Sequence, residues 1–141
     1  MTVTLFGHKN TPDTLKQTIR SVVEELILNR NADLFYIGNN GAFDRMAADV
    51  LLSLSKKYTH IKFFIVIAYL NDTKISFSEH TIYPEGLETV PKHLAILKRN
   101  YWMINKADTV ITYVTNTFTN SYKLMTYAQN HGKRIINLND I

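Results

Sequence analysis

Apolar and polar residues follow two different periods along the chain, and the alternation between them predicts strands separated by helices. Five short runs are rich in β-branched and aromatic residues, which is typical of strands. These runs are Thr2 to Phe6, Leu34 to Ile37, Ile61 to Leu70, Thr109 to Val114 and Arg134 to Leu138. The third run is apolar at almost every position, which is typical of a parallel strand that is buried on both faces.

Between these runs, apolar residues recur at the spacing of helices. The first helix is predicted to begin at Thr11, Pro12 and Asp13, which supply an N-cap, a proline at the first helical position and an acid in the first turn. The later helices are predicted over Ala42 to Lys57, Lys92 to Asn105 and Ser121 to His131. Strands that alternate with helices indicate an α/β fold built on a parallel sheet with right-handed crossovers.

The length and composition of the chain set the number of domains. A chain of 141 residues has the usual size of one domain, so residues 1–141 are expected to form a single core. The N-terminus has no basic stretch before its apolar residues, no apolar run is long enough to cross a bilayer, and cysteine is absent. We therefore expect a soluble cytoplasmic protein without membrane contact, disulfides or thiolate metal sites.

The net charge of +4 comes from basic residues that are dispersed along the chain rather than gathered in one run. Dispersed lysines are typical of solvated helix faces, and no segment resembles a nucleic-acid-binding arm. A nucleic acid is therefore not the favoured partner, while a modest attraction to small anionic ligands stays open.

A glycine-rich turn from Gly38 to Gly41 joins the second predicted strand to the second helix. In open parallel sheets, ligands bind outside the carboxyl ends of the strands, near the point where the strand order reverses. Glycines allow backbone amides to approach a ligand closely, and the start of the following helix attracts anions, so the turn can hold a phosphate. A tight turn in which asparagines accept left-handed backbone angles explains the same residues without a ligand. Both interpretations stay open at this level.

Two other strand ends carry glycine, basic or polar residues. Gly7, His8 and Lys9 follow the first strand. Arg99 and Met103 share one helix face just before the fourth strand, because they lie four residues apart. The carboxyl ends of parallel strands meet at one edge of a sheet, so we expect these clusters to converge with the glycine-rich turn.

The polar stretch from residue 71 to 90 is predicted to be a long loop. Its titratable side chains match no fixed spacing of metal ligands, so no metal and no cofactor is predicted. Those side chains are Glu79, His80, Glu85 and Glu88. Tyr83 can stack on a base or stabilise the loop itself. Long ordered loops in compact domains are usually functional, so this one is expected to form a lid over the strand ends.

Taken together, these motifs resemble the SLOG superfamily, a Rossmann-like group that unites DNA-processing-protein-A-type domains with LOG-type "lysine decarboxylase-like" proteins, and within it a small bacterial and phage branch. Members bind nucleotides or nucleotide-derived signals at the strand ends. The glycine-rich turn with Asp44 resembles the first glycine-rich loop of the family, and Arg99 with Met103 resembles the arginine-x-x-x-methionine helix that precedes the second. In the LOG enzymes, which hydrolyse the N-glycosidic bond of nucleoside monophosphates, that arginine is catalytic. The resemblance covers most of the chain, through LFGHK, GNNGAFDRMA, TIYPEGLETVP, LKRNYWMINKADTVITYV and GKRIINL.

One segment departs from the family pattern, and the departure bears on catalysis. Where LOG enzymes carry a proline-glycine-glycine-x-glycine-threonine loop and a catalytic glutamate, this chain reads VTNTFTNSYKLMTYAQ, without a glycine or an acid. Cleavage of a glycosidic bond needs a carboxylate near the anomeric carbon. Asp44 or Glu85 would have to replace the missing glutamate. We therefore expect binding rather than hydrolysis, with Arg99 and Asp44 as the catalytic candidates if the chain is an enzyme.

The resulting prediction is a three-layer Rossmann-like, doubly wound parallel sheet with strand order 3-2-1-4-5. It is expected to bind a nucleotide or nucleoside-derived small molecule, as a sensor, carrier or sequestering protein. Two alternatives stay open: a LOG-type nucleoside monophosphate N-glycosidic hydrolase or transferase, and a nucleic-acid or protein-interaction module. The predicted ligand-binding residues are Gly7, His8, Lys9, Gly38, Asn39, Asn40, Gly41, Ala42, Asp44, Tyr83, Arg99, Thr115, Asn116, Thr117 and Asn120.

The resemblance and the strand-end geometry also assign a role to each part of this set. Gly7 to Lys9 would line the floor, Gly38 to Ala42 would hold phosphate or ribose, and Thr115 to Asn120 would close the other side. Asp44 would accept a hydrogen bond from a ligand hydroxyl. Arg99, which is expected to be partly exposed, would pair with an anion.

Two aromatic residues suggest assembly. Tyr101 and Trp102 are expected to be exposed near an apolar helix face, and exposed aromatics of this kind often mark an interface. A homo-oligomer is therefore predicted, with a core position for Trp102 beneath the sheet as the alternative.

Overall fold

The computed structural model describes residues 1–70 and 78–141, and that part of the chain contains one six-stranded parallel sheet flanked by four α-helices. The strands lie in the order β4-β3-β2-β1-β5-β6, and every neighbouring pair is parallel. Their bounds are β1 (Thr2–Gly7), β2 (Leu34–Ile37), β3 (Lys62–Val66), β4 (Thr81–Ile82), β5 (Thr109–Tyr113) and β6 (Arg134–Asn137).

The helices cover both faces of the sheet, which makes three layers. Alternating residues of β1 point to opposite faces. Leu5 packs in the larger apolar cluster with residues of α1 and α2, whereas Phe6 packs with Ile104 and Leu124 of α3 and α4. The helices are α1 (Leu15–Asn29), α2 (Ala42–Lys57), α3 (Ala95–Lys106) and α4 (Asn120–Asn130).

The predicted strand order is confirmed, since the five predicted strands lie as β3-β2-β1-β5-β6. The sixth strand, β4, was not predicted. It consists of Thr81 and Ile82 alone, which pair with Ile65 and Val66 at the edge of the sheet. Two residues are too few to establish a period of alternation, so this strand leaves no signal in the pattern.

The predicted start of the first helix is wrong. The hydroxyl of Thr11 donates a hydrogen bond to the carbonyl of His8 at 2.6 Å instead of accepting one from a helical amide. The amides of Leu15 and Lys16 bond to the carbonyls of Pro12 and Asp13, three residues back, so a tight turn precedes the α-helix. Helix α1 therefore begins at Leu15.

The third predicted helix has a similar tight beginning. Lys92–Leu94 forms a 3₁₀ turn, and the α-helix starts only at Ala95. Across residues 1–70 and 78–141, no helix combines the length and apolar character that crossing a membrane requires.

The aromatic residues of α3 pack within the domain, contrary to the predicted exposure. Trp102 is half-buried and meets the Tyr36 ring of β2 edge-on, with the ring centroids 5.2 Å apart. Tyr101 is also half-buried and stacks on Tyr127 of α4 at 4.2 Å. These two rings therefore no longer support a homo-oligomer, and the oligomeric state itself stays a prediction that rests on the family resemblance.

Candidate functional site

A cleft opens where the strand order reverses. On one side of β1 lie β2, β3 and β4, and on the other side lie β5 and β6. The β1–α1 and β5–α4 connections therefore leave the carboxyl edge of the sheet in opposite directions. The cleft has a volume of about 650 Å³ and lies between these two connections. Its position is the one at which open α/β sheets bind ligands, and its volume is typical of small-molecule sites.

The structure brings nine of the fifteen predicted ligand-binding residues to the cleft surface. These are Gly7, His8, Lys9, Asn40, Asp44, Arg99, Thr115, Asn116 and Asn120. The other six do not line it. They are Gly38, Asn39, Gly41, Ala42, Tyr83 and Thr117.

Arg99 is buried, contrary to the predicted partial exposure, with only 2% of its surface accessible. Its Nη1 donates to the carbonyl of Val66 at 2.9 Å and to Oδ1 of Asn39 at 3.1 Å. Its Nε donates to Oδ1 of Asn100 at 2.8 Å. These bonds tie α3 to the carboxyl ends of β2 and β3, so Arg99 holds the sheet edge together as well as lining the cleft.

Asp44 lies beside Arg99 and is 8% exposed. Its Oδ2 accepts a hydrogen bond from the amide of Asn40 at 2.8 Å, which closes the glycine-rich turn onto the first turn of α2. Burial raises the pKa of Asp44 to about 6, although the Asn40 hydrogen bond and the positive charge of Arg99 both act to lower it. A carboxyl group that titrates near neutral pH therefore faces the cleft.

Gly38 has no side chain, and this allows the side chains of Asp44 and Arg99 to approach the end of β2. A Cβ atom on Gly38 would lie 2.8 Å from Oδ2 of Asp44 and 3.1 Å from Cζ of Arg99. Any larger residue would therefore displace one of the two side chains. This glycine supports the cleft from behind rather than contacting its contents.

Gly41 is required by the packing of the chain. Its φ of 112° lies in the region that favours glycine. A Cβ atom on Gly41 would lie 2.8 Å from Cα of Lys9, and the amide of Ala42 donates to the carbonyl of Lys9 at 2.9 Å. The turn is thus tight because the β1–α1 connection packs directly on it. The tight packing of the chain accounts for Gly41 without a ligand, but the predicted left-handed asparagines are wrong, because neither Asn39 nor Asn40 has a positive φ.

A histidine joins the two connections that border the cleft. Nε2 of His8 accepts a hydrogen bond from the amide of Thr115 at 3.1 Å and lies 3.2 Å from the Thr115 hydroxyl. The His8 ring also meets the Tyr113 ring edge-on at 5.7 Å. Burial lowers the pKa of His8, which favours the neutral ring that this hydrogen bond needs. The contact fixes the spacing of the two walls.

The rim of the cleft carries an exposed aromatic ring. Phe118 is 94% exposed and lines the cleft within a segment of threonine and asparagine residues. Its amide donates to Oδ1 of Asn116 at 3.0 Å, so the backbone that carries the ring is held in a local turn. Thr119 follows as the N-cap of α4, accepting from the amide of Tyr122 at 3.2 Å.

Two lining residues are absent from the predicted ligand-binding set: Phe118, although it lies within the predicted segment Thr115 to Asn120, and Asn100. A single aromatic residue in the polar run TNTFTN is a signal that could have identified Phe118, because nothing in that run provides a core for the ring. Asn100 had no comparable signal, since its contact with Arg99 becomes visible only in the structure.

The predicted lid lies partly outside the described residues, because residues 71–77 are not described. Within residues 79–90, no residue lines the cleft. Tyr83 packs against the larger apolar cluster, and His80 stacks on Phe63 of β3 with the ring centroids 4.1 Å apart. This part of the stretch therefore packs at the β3 edge of the domain.

Titration of Asp44 predicts an unusual pH dependence of stability. The folded-state pKa of about 6 is higher than the ordinary 3.8, so Asp44 contributes stability below about pH 4, and this contribution is lost as the pH rises to about 6. The loss amounts to as much as about 3 kcal/mol. Denaturant unfolding of the parent and Asp44→Asn between pH 4 and 7 measures it. Between pH 4 and pH 7, the unfolding free energy of the parent is expected to fall by about this amount relative to that of Asp44→Asn.

His8 affects the pH dependence of stability in the opposite direction, because its lowered pKa makes the folded protein less stable as the pH falls. The parent and Asp44→Asn both contain His8, so its effect cancels in the difference between their unfolding free energies. A difference in unfolding free energy between the two proteins that does not change across this pH range would contradict the assigned environment of Asp44.

Comparisons with known proteins do not add an identity to the fold and the cleft. No family model matches the chain, and no curated protein matches it. The chemistry of the cleft is therefore the basis on which a function is assigned.

Proposed function

We propose that the chain binds a nucleotide or nucleoside-derived small molecule in the cleft at the carboxyl edge of the sheet, as an SLOG-type sensor, carrier or sequestering protein. The proposal rests on one observation: the cleft, which lies where the strand order reverses, combines an exposed aromatic ring with basic and amide side chains. Phe118 supplies the ring, Lys9 and Arg99 supply positive charge, and Asn100 and Asn116 supply amides.

The distribution of these groups fits the parts of a nucleotide. The first residues of α4, Asn120 and Ser121, line the cleft, and a helix N-terminus offers free amides and partial positive charge to a phosphate. Lys9 is exposed, lines the same cleft and adds a cation. The Phe118 ring at the rim can stack on a planar base. Arg99 contributes its charge from below the surface, because hydrogen bonds to Asn100, Asn39 and Val66 hold it in place.

Replacing Phe118 with alanine tests the stacking role. The affinity for a nucleoside monophosphate is expected to fall about tenfold, since stacking of a base on an aromatic ring contributes roughly 1–3 kcal/mol. The melting temperature should stay unchanged, because the ring is 94% exposed. Calorimetric titration with AMP, GMP, CMP and UMP selects the tightest probe, which is then used on the variant.

Leu28→Ala is the matched control, because Leu28 is 60% exposed on α1, far in sequence from every residue of the cleft. It should leave the affinity unchanged. If Phe118→Ala and the parent bind the nucleotide with equal affinity, the Phe118 ring does not contribute to binding. If none of the four nucleotides binds at millimolar concentration, the proposal is overturned.

A second candidate function, hydrolysis of an N-glycosidic bond, is favoured by one observation. Asp44 lines the cleft with a pKa of about 6, which suits general acid–base catalysis. Its Oδ2 already holds the Asn40 amide, however, and the side chain is 8% exposed. The protein is incubated with AMP, and chromatography measures whether free adenine is released. This measurement distinguishes binding from N-glycosidic hydrolysis. Binding without chemistry predicts no release, whereas release that disappears in Asp44→Asn would assign an enzyme.

A further inference from the structure

The two helical layers differ in charge. Helices α1 and α2 carry five basic and four acidic residues, so their charges nearly balance. Helices α3 and α4 carry four basic residues and no acidic residue. Those four are Lys98, Arg99, Lys106 and Lys123, and all except Arg99 are exposed. The excess positive charge of the helices therefore lies almost entirely on one face of the molecule.

A row of basic and aromatic side chains runs along the groove between these two helices. We call this row the α3–α4 seam. Lys98, Tyr101 and Asn105 follow one face of α3. Lys123 and Tyr127 follow one face of α4 at four-residue spacing, and His131 caps the end of that helix four residues further on. Lys133 completes the row. The seam therefore consists of Lys98, Tyr101, Asn105, Lys123, Tyr127, His131 and Lys133.

Direct contacts hold the centre of the seam in place. The Tyr127 ring stacks on Tyr101 at 4.2 Å and on His131 at 4.0 Å. The Tyr127 hydroxyl donates to Oδ1 of Asn105 at 2.9 Å, and Nζ of Lys133 donates to the Asn105 carbonyl at 3.4 Å. The seam is thus an ordered surface rather than a set of independent side chains.

The lysines of the seam have no carboxylate partner in the described part of the chain. Nζ of Lys98 lies 5.9 Å from the centre of the Tyr101 ring. No acidic oxygen of residues 1–70 or 78–141 lies within 4 Å of Lys98, Lys123 or Lys133. These positive charges are therefore available to an external anion.

We propose that the α3–α4 seam is a docking surface for an acidic polypeptide segment of a partner protein. Charge complementarity supplies the attraction, because the surface has three lysines and no acid to oppose a glutamate-rich chain. Along α3, Lys98 and Asn105 are about 10 Å apart at the helical rise of 1.5 Å per residue. An extended segment of about four residues covers that length.

The ring contacts favour a polypeptide over a single-stranded nucleic acid. A base needs a free ring face on which to stack. Both faces of Tyr127 are occupied by its two neighbours, and one face of Tyr101 is covered by Tyr127. A second copy docking seam to seam would bring like charges together.

The test measures binding of a fluorescent hexaglutamate peptide to the intact chain at low salt. Lys98→Gln combined with Lys123→Gln is the test variant, because both residues are exposed and neither should affect folding. It is expected to weaken binding by at least about tenfold, because it removes two exposed charges that attract the glutamates at low ionic strength. Lys16→Gln combined with Lys56→Gln makes the same change of charge on α1 and α2 and should alter affinity less than twofold.

Four results would overturn the proposal. The first is an equal loss of affinity in the two double variants, which would show general charge attraction rather than a seam. The second is failure of the parent to bind hexaglutamate at low salt. The third is tighter binding of single-stranded oligothymidylate than of hexaglutamate, with the same dependence on Lys98 and Lys123. The fourth, from light scattering, is a dimer that dissociates in the test variant, which would assign the seam to another copy of this chain.

Discussion

Gly41→Val is expected to lower the free energy of unfolding by about 2–5 kcal/mol, from backbone strain and steric overlap together. The strain arises because the φ of Gly41 is 112°, an angle that β-branched residues rarely adopt. The overlap arises because a Cβ atom would lie 2.8 Å from Cα of Lys9, which is backbone and cannot move aside as a side chain can. Denaturant unfolding of the parent and the variant measures the loss.

Gly132→Val is the matched control for this substitution. Gly132 also has a positive φ, 72°, but a Cβ atom there would meet nothing within 4 Å. It should cost about 1–2 kcal/mol, the strain alone. If Gly41→Val costs no more than Gly132→Val, the packing of Lys9 on the turn does not determine the residue at position 41.

Arg99→Gln is expected to destabilise the protein by about 2–4 kcal/mol, because it removes the buried positive charge beside Asp44 and breaks hydrogen bonds to Asn39 and Val66. The sequence prediction of a partly exposed Arg99 implied almost no effect on stability. Lys98→Gln is the control at the neighbouring exposed position and should change the unfolding free energy by less than about 0.5 kcal/mol.

A double-mutant cycle with Asp44→Asn separates the charge interaction from the hydrogen bonds. If Arg99 offsets the buried carboxylate at pH 7, the cost of Arg99→Gln should be smaller in the Asp44→Asn background by about 1 kcal/mol or more. Additive losses would show that the two side chains are energetically independent, and a melting temperature unchanged by Arg99→Gln would restore the prediction of an exposed arginine.

The period of apolar residues was sufficient to predict the sheet, because each of five strands has a core-facing side. The residues of β1 show this most clearly, with Val3 and Leu5 on one face and Phe6 on the other. The pattern could not predict β4, whose two residues are defined by pairing with β3 rather than by alternation. It also could not place the start of α1, because Thr11 and Pro12 suit a tight turn as well as a helix start.

The candidate site was predictable at the level of strand ends but not of individual contacts. Gly7, His8 and Thr115 meet because parallel strands end at one edge, and that follows from the alternation of strands and helices. The burial of Arg99 depends on acceptors at Asn39 and Val66, which are 60 and 33 residues away in sequence. No local spacing encodes such long-range partners, so the sequence prediction located Arg99 correctly at the cleft but assigned it the wrong exposure.

Amide chemical-shift mapping by NMR tests the central claim most directly, since it reports both whether a nucleotide binds and where. In a titration with AMP, GMP, CMP and UMP, at least one nucleotide is expected to cause saturable shifts. The affected amides should be those of Gly7 to Asn10 and Thr115 to Ser121, the two segments that border the cleft. The account is contradicted if none of the four nucleotides shifts these amides at millimolar concentration, or if the saturable shifts lie on α1 and α2 instead.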